Sequence, residues 1–393
     1  MNRRLAFYAP IKPPDHPVPS GDRRMARALI VALERAGWTV EVASRLRSWD
    51  GRGDLCHQHR IASLGARIAD RLARRYAALP PAARPAAWLT YHAYHKSPDW
   101  LGPVLAPQLG IPYVLVEPSF APRQAGGPWA FGHGASEHAI GIADVVLAMT
   151  EVDAAGLAPL VRAPAELQRL PPFLDPRPFQ EAAAGRAVHR AALAARFGLD
   201  PAPPWLLTVA MMRADVKLDS YRLLATALAR LLDRPWRLLI AGEGPARGEV
   251  EAAMAALGPG RVAFAGAVSE GDLRACCAAC DLFVWPALRE AYGLAMLEAA
   301  AAGLPVVAGR DGGVAEVVRD GVTGVLVPPR DAPAFAAAIT DLLERPDERA
   351  RLGRAAAAFV ANERSLDHAA AVLDDALLAA ARIREARSCS TCS

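Results

Sequence analysis

Two α/β domains, each a doubly wound parallel sheet, are what this sequence predicts, and three observations predict them. Short apolar runs alternate with stretches of helical periodicity along most of the chain, most of those runs are bounded by Gly or Pro, and 393 residues are too many for one ordinary core. At 53% hydrophobic and 22% charged, the composition is that of a globular chain.

The first half predicts strands at 5–9, 39–43, 87–91, 113–117 and 145–149. The second half is more regular, with strands at 205–210, 236–241, 261–265, 281–285, 305–308 and 324–327 and helical segments between them. Such alternation means parallel strands covered by helices on both faces, so the chain reads as two Rossmann-like domains facing a cleft. Residues 169–179 and 198–204 are proline-dense and flank a helix-like piece at 186–197, which places a hinge there. The expected division is 1–185, 186–363 and a C-terminal segment 364–393, whose helix packs back on the first domain and whose Ser-Cys-Ser-Thr-Cys-Ser end is frayed.

The formal net charge of +4 is unevenly spread: residues 1–190 carry 23 Lys and Arg against 16 Asp and Glu, net +7, and the remainder is net −3. A mildly basic half suits a phosphate-bearing ligand or a lipid surface and is too weakly charged for nucleic acid. Part of the excess lies at 60–83, where Ile61, Leu64, Ile68, Leu72, Tyr76 and Leu79 recur at helical spacing and Arg60, Arg67, Arg71 and Arg74 fall on another face. This basic amphipathic helix is either a solvated domain helix or one laid on anionic lipid. Residues 1–10 lack the apolar core of a secretory signal, and the longest uncharged run, 100–116, is broken by Pro103, Pro107 and Pro112. A cytoplasmic protein, at most peripheral to the inner face of a membrane, is expected. The pairs Cys277/Cys280 and Cys389/Cys392 have Cys-x-x-Cys spacing, but the first lies in an apolar Ala-rich helix, and reduced thiols rather than a metal site are expected.

Chemistry-bearing residues gather where strands end, which is where ligands bind in open parallel sheets. Glu290 follows the strand at 281–285 and precedes a helix expected from 291 to 302. The N–H groups near Tyr292, Gly293 and Leu294 and the helix dipole make an anion site there. Glu298 lies eight residues on, roughly 12 Å along a continuous helix, which is too far for a hydrolytic dyad and suits two acceptors gripping separate hydroxyls of one long ligand. Arg213 and Lys217 follow the strand at 205–210 as a guanidinium fork and a point charge suited to a diphosphate. Gly242 and Gly266 end two further strands.

The runs Glu-Ala-Tyr-Gly-Leu-Ala-Met-Leu-Glu at 290–298, Gly312-Gly313 and Asp-Gly-Val-Thr-Gly-Val-Leu-Val-Pro at 320–328 resemble the group 1, family four glycosyltransferases of the GT-B fold. The resemblance is specific from about 203 to 345 and looser before it. It implies a retaining, metal-independent transfer from a UDP- or GDP-sugar substrate, with no cofactor, to a sugar, lipid or small-molecule acceptor, in settings such as cell-envelope polysaccharide synthesis. It further implies that Glu290 contacts donor-sugar hydroxyls, Glu298 the ribose, and Arg213 and Lys217 the diphosphate, assisted by backbone at Gly293 and Leu294, with Val268 at the base. The spacing from Arg213 to Lys217 is one residue shorter than the family's usual one. No two aspartates stand in the Asp-x-Asp spacing that holds magnesium in metal-dependent transferases.

In the first half, Gly21 stands where the family usually has a glycine pair, and His92 resembles its histidine after the third strand. His95 and Lys96 follow His92. Glu117 replaces a second histidine and is a candidate acceptor-side base or, equally, a partner for a local arginine. A dinucleotide oxidoreductase would need Gly-x-Gly-x-x-Gly after the first strand, where only Gly21 occurs. A non-catalytic sugar-nucleotide sensor of the same fold is the remaining alternative.

Overall fold

The computed structural model describes residues 2–18 and 20–390, and within these the chain divides into two compact units, one of residues 1–171 with 366–393 and one of residues 172–365. The first division falls after Pro171, fourteen residues before the expected boundary, because the segment following it packs against a helix of the second unit. Cys392 lies outside the described residues.

The first unit contains β1 (Arg4–Tyr8), α1 (Gly21–Arg35), β2 (Thr39–Ser44), α2 (Leu55–Ala77), β3 (Ala87–Tyr91), α3 (Gly102–Leu109), β4 (Tyr113–Val116), α4 (Ala130–Ile142), β5 (Val145–Ala148), α5 (Glu151–Leu157) and β6 (Glu166–Arg169). All its strands are parallel, in the order β2-β1-β3-β4-β5-β6. Strands β3, β4 and β5 are buried at every residue, which is why they appear in the sequence as largely apolar runs, broken only by Thr90, rather than as alternation. The sequence reading lacks β6, whose Glu-Leu-Gln-Arg composition suits an edge strand paired only to β5. The basic helix also differs from expectation: α2 begins at Leu55, capped by the Asp54 carboxylate that accepts from the His57 N–H, and ends at Ala77, ahead of Pro80 and Pro81.

The second unit contains α6 (Arg177–Ala184), α7 (Arg186–Phe197), β7 (Trp205–Val209), α8 (Val216–Leu228), β8 (Arg237–Ala241), α9 (Arg247–Ala255), β9 (Val262–Gly266), α10 (Glu270–Ala279), β10 (Leu282–Trp285), α11 (Leu294–Ala301), β11 (Val306–Gly309), β12 (Gly324–Val327), α12 (Ala332–Glu344) and α13 (Pro346–Glu363). Its six parallel strands run β12-β11-β10-β7-β8-β9. From β7 the chain winds outward to β8 and β9, then returns to the other side of β7 for β10, β11 and β12, so strand order reverses between β7 and β10. In the first unit the reversal falls between β1 and β3. Crevices at these two reversals are where such sheets bind ligands.

The last helix, α14 (Leu366–Ser390), belongs to the first unit, where it packs on α1, β4 and β5. No helix among the described residues is long and apolar enough to cross a membrane.

Candidate functional site

The strand reversal of the second unit carries an ion pair. Asp215 caps α8 through a hydrogen bond from the Lys217 N–H (2.9 Å), which fixes Lys217 in the helix's first turn just beyond β7. Its ammonium meets Glu290 Oε2, which belongs to the loop after the neighbouring strand β10. Trp285, the last residue of β10, donates its indole N–H to the same oxygen at 3.2 Å, and its ring lies 5.5 Å from the ammonium. The ring is held edge-on by Tyr221, centroids 4.9 Å apart, whose hydroxyl donates to the Ala210 carbonyl. Both charged side chains are about 15% exposed (Lys217 16%, Glu290 15%), so their attraction is less screened than that of a surface pair.

The backbone carrying Glu290 is clamped from behind. Gly313 N–H donates to the Glu290 carbonyl at 3.0 Å, and a Cβ at Gly312 would come within 1.9 Å of that oxygen, so only glycine lets the two loops approach. Arg289 N–H donates to Asp311 and Leu288 N–H to Ser220 Oγ.

The helix expected from residue 291 begins at Leu294. Gly293, at φ 78°, is left-handed and ends the preceding loop as the N-cap, so Tyr292 is not helical and the run from Glu290 to Glu298 is not one continuous helix. Leu294 and Ala295 open the first turn, where N–H groups have no intrahelical partner. Glu298 lies inside α11 and is 2% exposed. Gly242 is required for a reason internal to the sheet edge: a Cβ there would meet the Ala210 carbonyl at 1.9 Å. Val268 is half-buried just before Ser269, the N-cap of α10. Arg213 is exposed and pairs with Asp215 at 3.0 Å, so the expected cationic couple consists of two cations that each face a carboxylate.

The first unit's strand reversal is spanned in the same way. Asp22, at the start of α1, contacts His92 Nδ1 at 3.0 Å from across the β1/β3 crevice. His92 (φ 58°) and Glu117 (φ 54°) follow adjacent strands β3 and β4 in the left-handed region that non-glycine residues seldom occupy, held by His92 N–H to Val116 O and Glu117 N–H to Leu147 O, both 2.8 Å. Burial works against a charged His92, yet the charges of Glu117, Asp22 and Asp153 hold its pKa above the ordinary histidine value. Burial raises the Glu117 carboxyl, with the His92 charge partly offsetting it. Glu117 therefore has a histidine rather than an arginine as its charged neighbour. Gly21 is the first residue of α1, capped by Ser20, with open space where a Cβ would point. His95 and Lys96 lie further along the β3 loop, against Trp129.

Sequence reading missed Trp285, Asp22, Asp153 and Asp311. Trp285 and Asp22 were discoverable as the last residue of a strand and the first acid of the following helix; Asp153 and Asp311 are identified only by proximity. The cysteines Cys276, Cys277 and Cys280 are buried and unbridged, with burial pushing the Cys276 thiol up to about 12 and the other two well above the ordinary range. Among the described residues, no group of three His, Cys, Asp or Glu side chains is placed to hold a metal.

Residues 203–345 match the family model described as glycosyl transferases group 1. That stretch is similar to the group 1 glycosyltransferases, and the two six-stranded parallel sheets flanked by helices are those of the GT-B fold. The alpha-D-kanosaminyltransferase of Streptomyces kanamyceticus is 32% identical to this chain over 60% of each protein. The GDP-mannose-dependent alpha-(1-6)-phosphatidylinositol monomannoside mannosyltransferase of Mycolicibacterium smegmatis is 33% identical over 54% of this chain and 56% of its own. The chain thus matches somewhat over half the length of these relatives. Among solved structures, Anabaena HepE in complex with UDP and glucose superposes with a TM-score of 0.68 over 96% of this chain and 99% of its own, at 17% identity, which is a likeness of fold.

Proposed function

We propose that the protein is a retaining glycosyltransferase that moves a sugar from a UDP- or GDP-sugar to an acceptor hydroxyl without a metal. The observation that carries this reading is the Lys217–Glu290 pair over the strand reversal of the second unit, beside the left-handed Gly293 turn that opens α11. A donor's diphosphate fits the positive side of this crevice, and Glu290 accepts hydrogen bonds from the sugar's hydroxyls. Cleavage of the glycosyl–phosphate bond leaves negative charge on the departing diphosphate, which Lys217, Arg213 and the N–H groups of Gly293 and Leu294 stabilise from fixed positions. Glu298 and the backbone at Val268 are assigned to ribose and base, and Gly242 and Gly21 to the loops bordering the donor. The named relatives and HepE, with its UDP and glucose, support a nucleotide-sugar donor. His92 is assigned to the donor sugar, and His95, Lys96 and Glu117 to the acceptor side.

The test is transfer assayed with UDP- and GDP-sugars in the wild type and in Glu290→Ala and Lys217→Ala. Each variant is expected to lose transfer by about a hundredfold or more while keeping its circular dichroism. Unchanged turnover in both refutes the assignment. Nucleotide binding that survives in a wild type with neither transfer nor donor hydrolysis selects the sensor instead.

A second reading concerns location. Arg60, Arg67, Arg71 and Arg74 are all exposed on α2 and have no ion-pair partner among the described residues. That face suits peripheral contact with an anionic lipid surface.

A further inference from the structure

Beyond His92, the loops after β3 and β4 and the start of α4 bring four basic groups together. Lys96 lies 4.3 Å from the centre of the Trp129 ring, the His95 ring stands edge-on to the same tryptophan at 6.0 Å, and His133 packs on Phe120 at 4.9 Å. The β3 loop is seated closely on α4: a Cβ at Gly132 would come within 2.2 Å of the His95 carbonyl. Lys96, His133 and Arg123 all bear on His95, whose pKa is lowered by burial first and then by these three neighbours.

Two of these groups lack partners. His95 Nδ1 and His133 Nε2 are buried atoms with no hydrogen-bond partner, and His133 is 5% exposed. Neither Lys96 nor Arg123 has a carboxylate partner among the described residues. The acid beside this cluster, Asp50, is occupied: its oxygens accept from Arg52 N–H, Gly53 N–H and Gln58 Nε2. Its backbone closes the cluster's floor, with Asp50 N–H donating to the Lys96 carbonyl at 2.7 Å and Trp129 Nε1 donating to the Asp50 carbonyl at 2.9 Å. Buried polar atoms are ordinarily paired, and uncompensated cations in one place repel one another. An anion satisfies both deficits.

The geometry points to a phosphate-binding subsite made by His95, Lys96, Arg123 and His133, which takes a phosphate group carried by the acceptor. Trp129 gives the subsite an apolar wall against which a sugar or cyclitol ring can lie. The subsite deepens the glycosyltransferase reading and rests on it for the word acceptor, while phosphate binding itself does not.

The test measures binding to the full chain, without donor, by calorimetric titration with myo-inositol, myo-inositol 1-phosphate and glycerophosphoinositol. Wild type is expected to bind a phosphorylated ligand at least tenfold more tightly than myo-inositol, each lost charge-assisted contact being worth roughly tenfold. Preference for the monoester places the phosphate on a free sugar phosphate, and preference for the diester on a lipid head group. Lys96→Met and Arg123→Gln together should abolish the difference, and Lys96→Arg should retain most of it. Circular dichroism confirms that the variants fold. Equal affinity for all three ligands, or a phosphate preference that survives the double substitution, overturns the subsite. Failure of the function reading looks different: phosphate binds with the stated preference, yet no sugar is transferred.

Discussion

His92 shows how one residue's environment sets a measurable dependence on pH. Its pKa lies above the ordinary histidine value of about 6.5. Its hydrogen-bonded partner Asp22 is pulled below the usual carboxylate range, chiefly by that hydrogen bond. A histidine raised on folding contributes stability that is complete below its unfolded value and is lost as pH rises through its folded value. A depressed carboxylate contributes above its unfolded value and loses that contribution in acid. Asp22→Asn should therefore lower the melting temperature of the first unit most near pH 5.5, with the penalty shrinking toward pH 9. Glu117, raised by burial and also by the Asp22 charge, destabilises this unit as it ionises, and the variant relieves part of that cost, which shrinks the penalty further toward high pH. A penalty of the same size at both ends of the range would show that the charges of Asp22 and His92 do not support one another.

At the scale of elements, α2 poses the plainest question. Its inner face buries Ile61, Ala69, Leu72 and Tyr76, so the outer arginines are not needed to fold it. Replacing Arg60, Arg67, Arg71 and Arg74 with Gln should leave helix content unchanged and abolish sedimentation with vesicles containing phosphatidylserine, each charge contributing about 1 kcal/mol near such a surface. Equal sedimentation of the variant would mark those arginines as a solvated face. The elements differ in how legible they were. Central strands such as β5 and β10 were plain because burial on both faces leaves only apolar residues. Strand β6 was hidden because Glu166 and Gln168 carry a loop's composition, and its identity comes from pairing with Val145–Ala148. The start of α11 was misplaced because helix propensity runs unbroken through Ala291 and Tyr292, whereas Gly293 takes a left-handed backbone at which a Cβ would come within 2.1 Å of the Met296 methyl. In the site, Lys217 and Glu290 could each be placed just beyond a strand end from the sequence. Their direct contact could not, because it depends on strand order, and strand order is set by tertiary packing.

Over the whole molecule, the chain leaves the first unit after Pro171, builds the second, and returns at Leu366 to supply α14. The return is fixed by charge as well as by packing. Asp144 is fully buried beside β5; its Oδ2 receives Arg384 Nη2 at 2.7 Å and the Tyr113 N–H at 2.9 Å, and its Oδ1 receives Arg387 Nη1 at 2.8 Å. A carboxylate buried this deeply is tolerable only while both guanidiniums are present, and removing the cations leaves a charge whose desolvation nothing repays. Arg384→Met with Arg387→Met should therefore destabilise the first unit by about 3–5 kcal/mol, a fall of roughly 10 °C for a unit of this size. Asp144→Asn in the same background should recover part of that loss, because a neutral amide keeps the Tyr113 contact without the unpaired charge. Scanning calorimetry distinguishes the units: the transition belonging to residues 172–365 should not move, since α14 contributes nothing to that core. A double variant that melts like wild type, or an Asp144→Asn change that deepens the loss, would mean that α14 is held by its apolar face alone and that the arginines are incidental to closing the first unit.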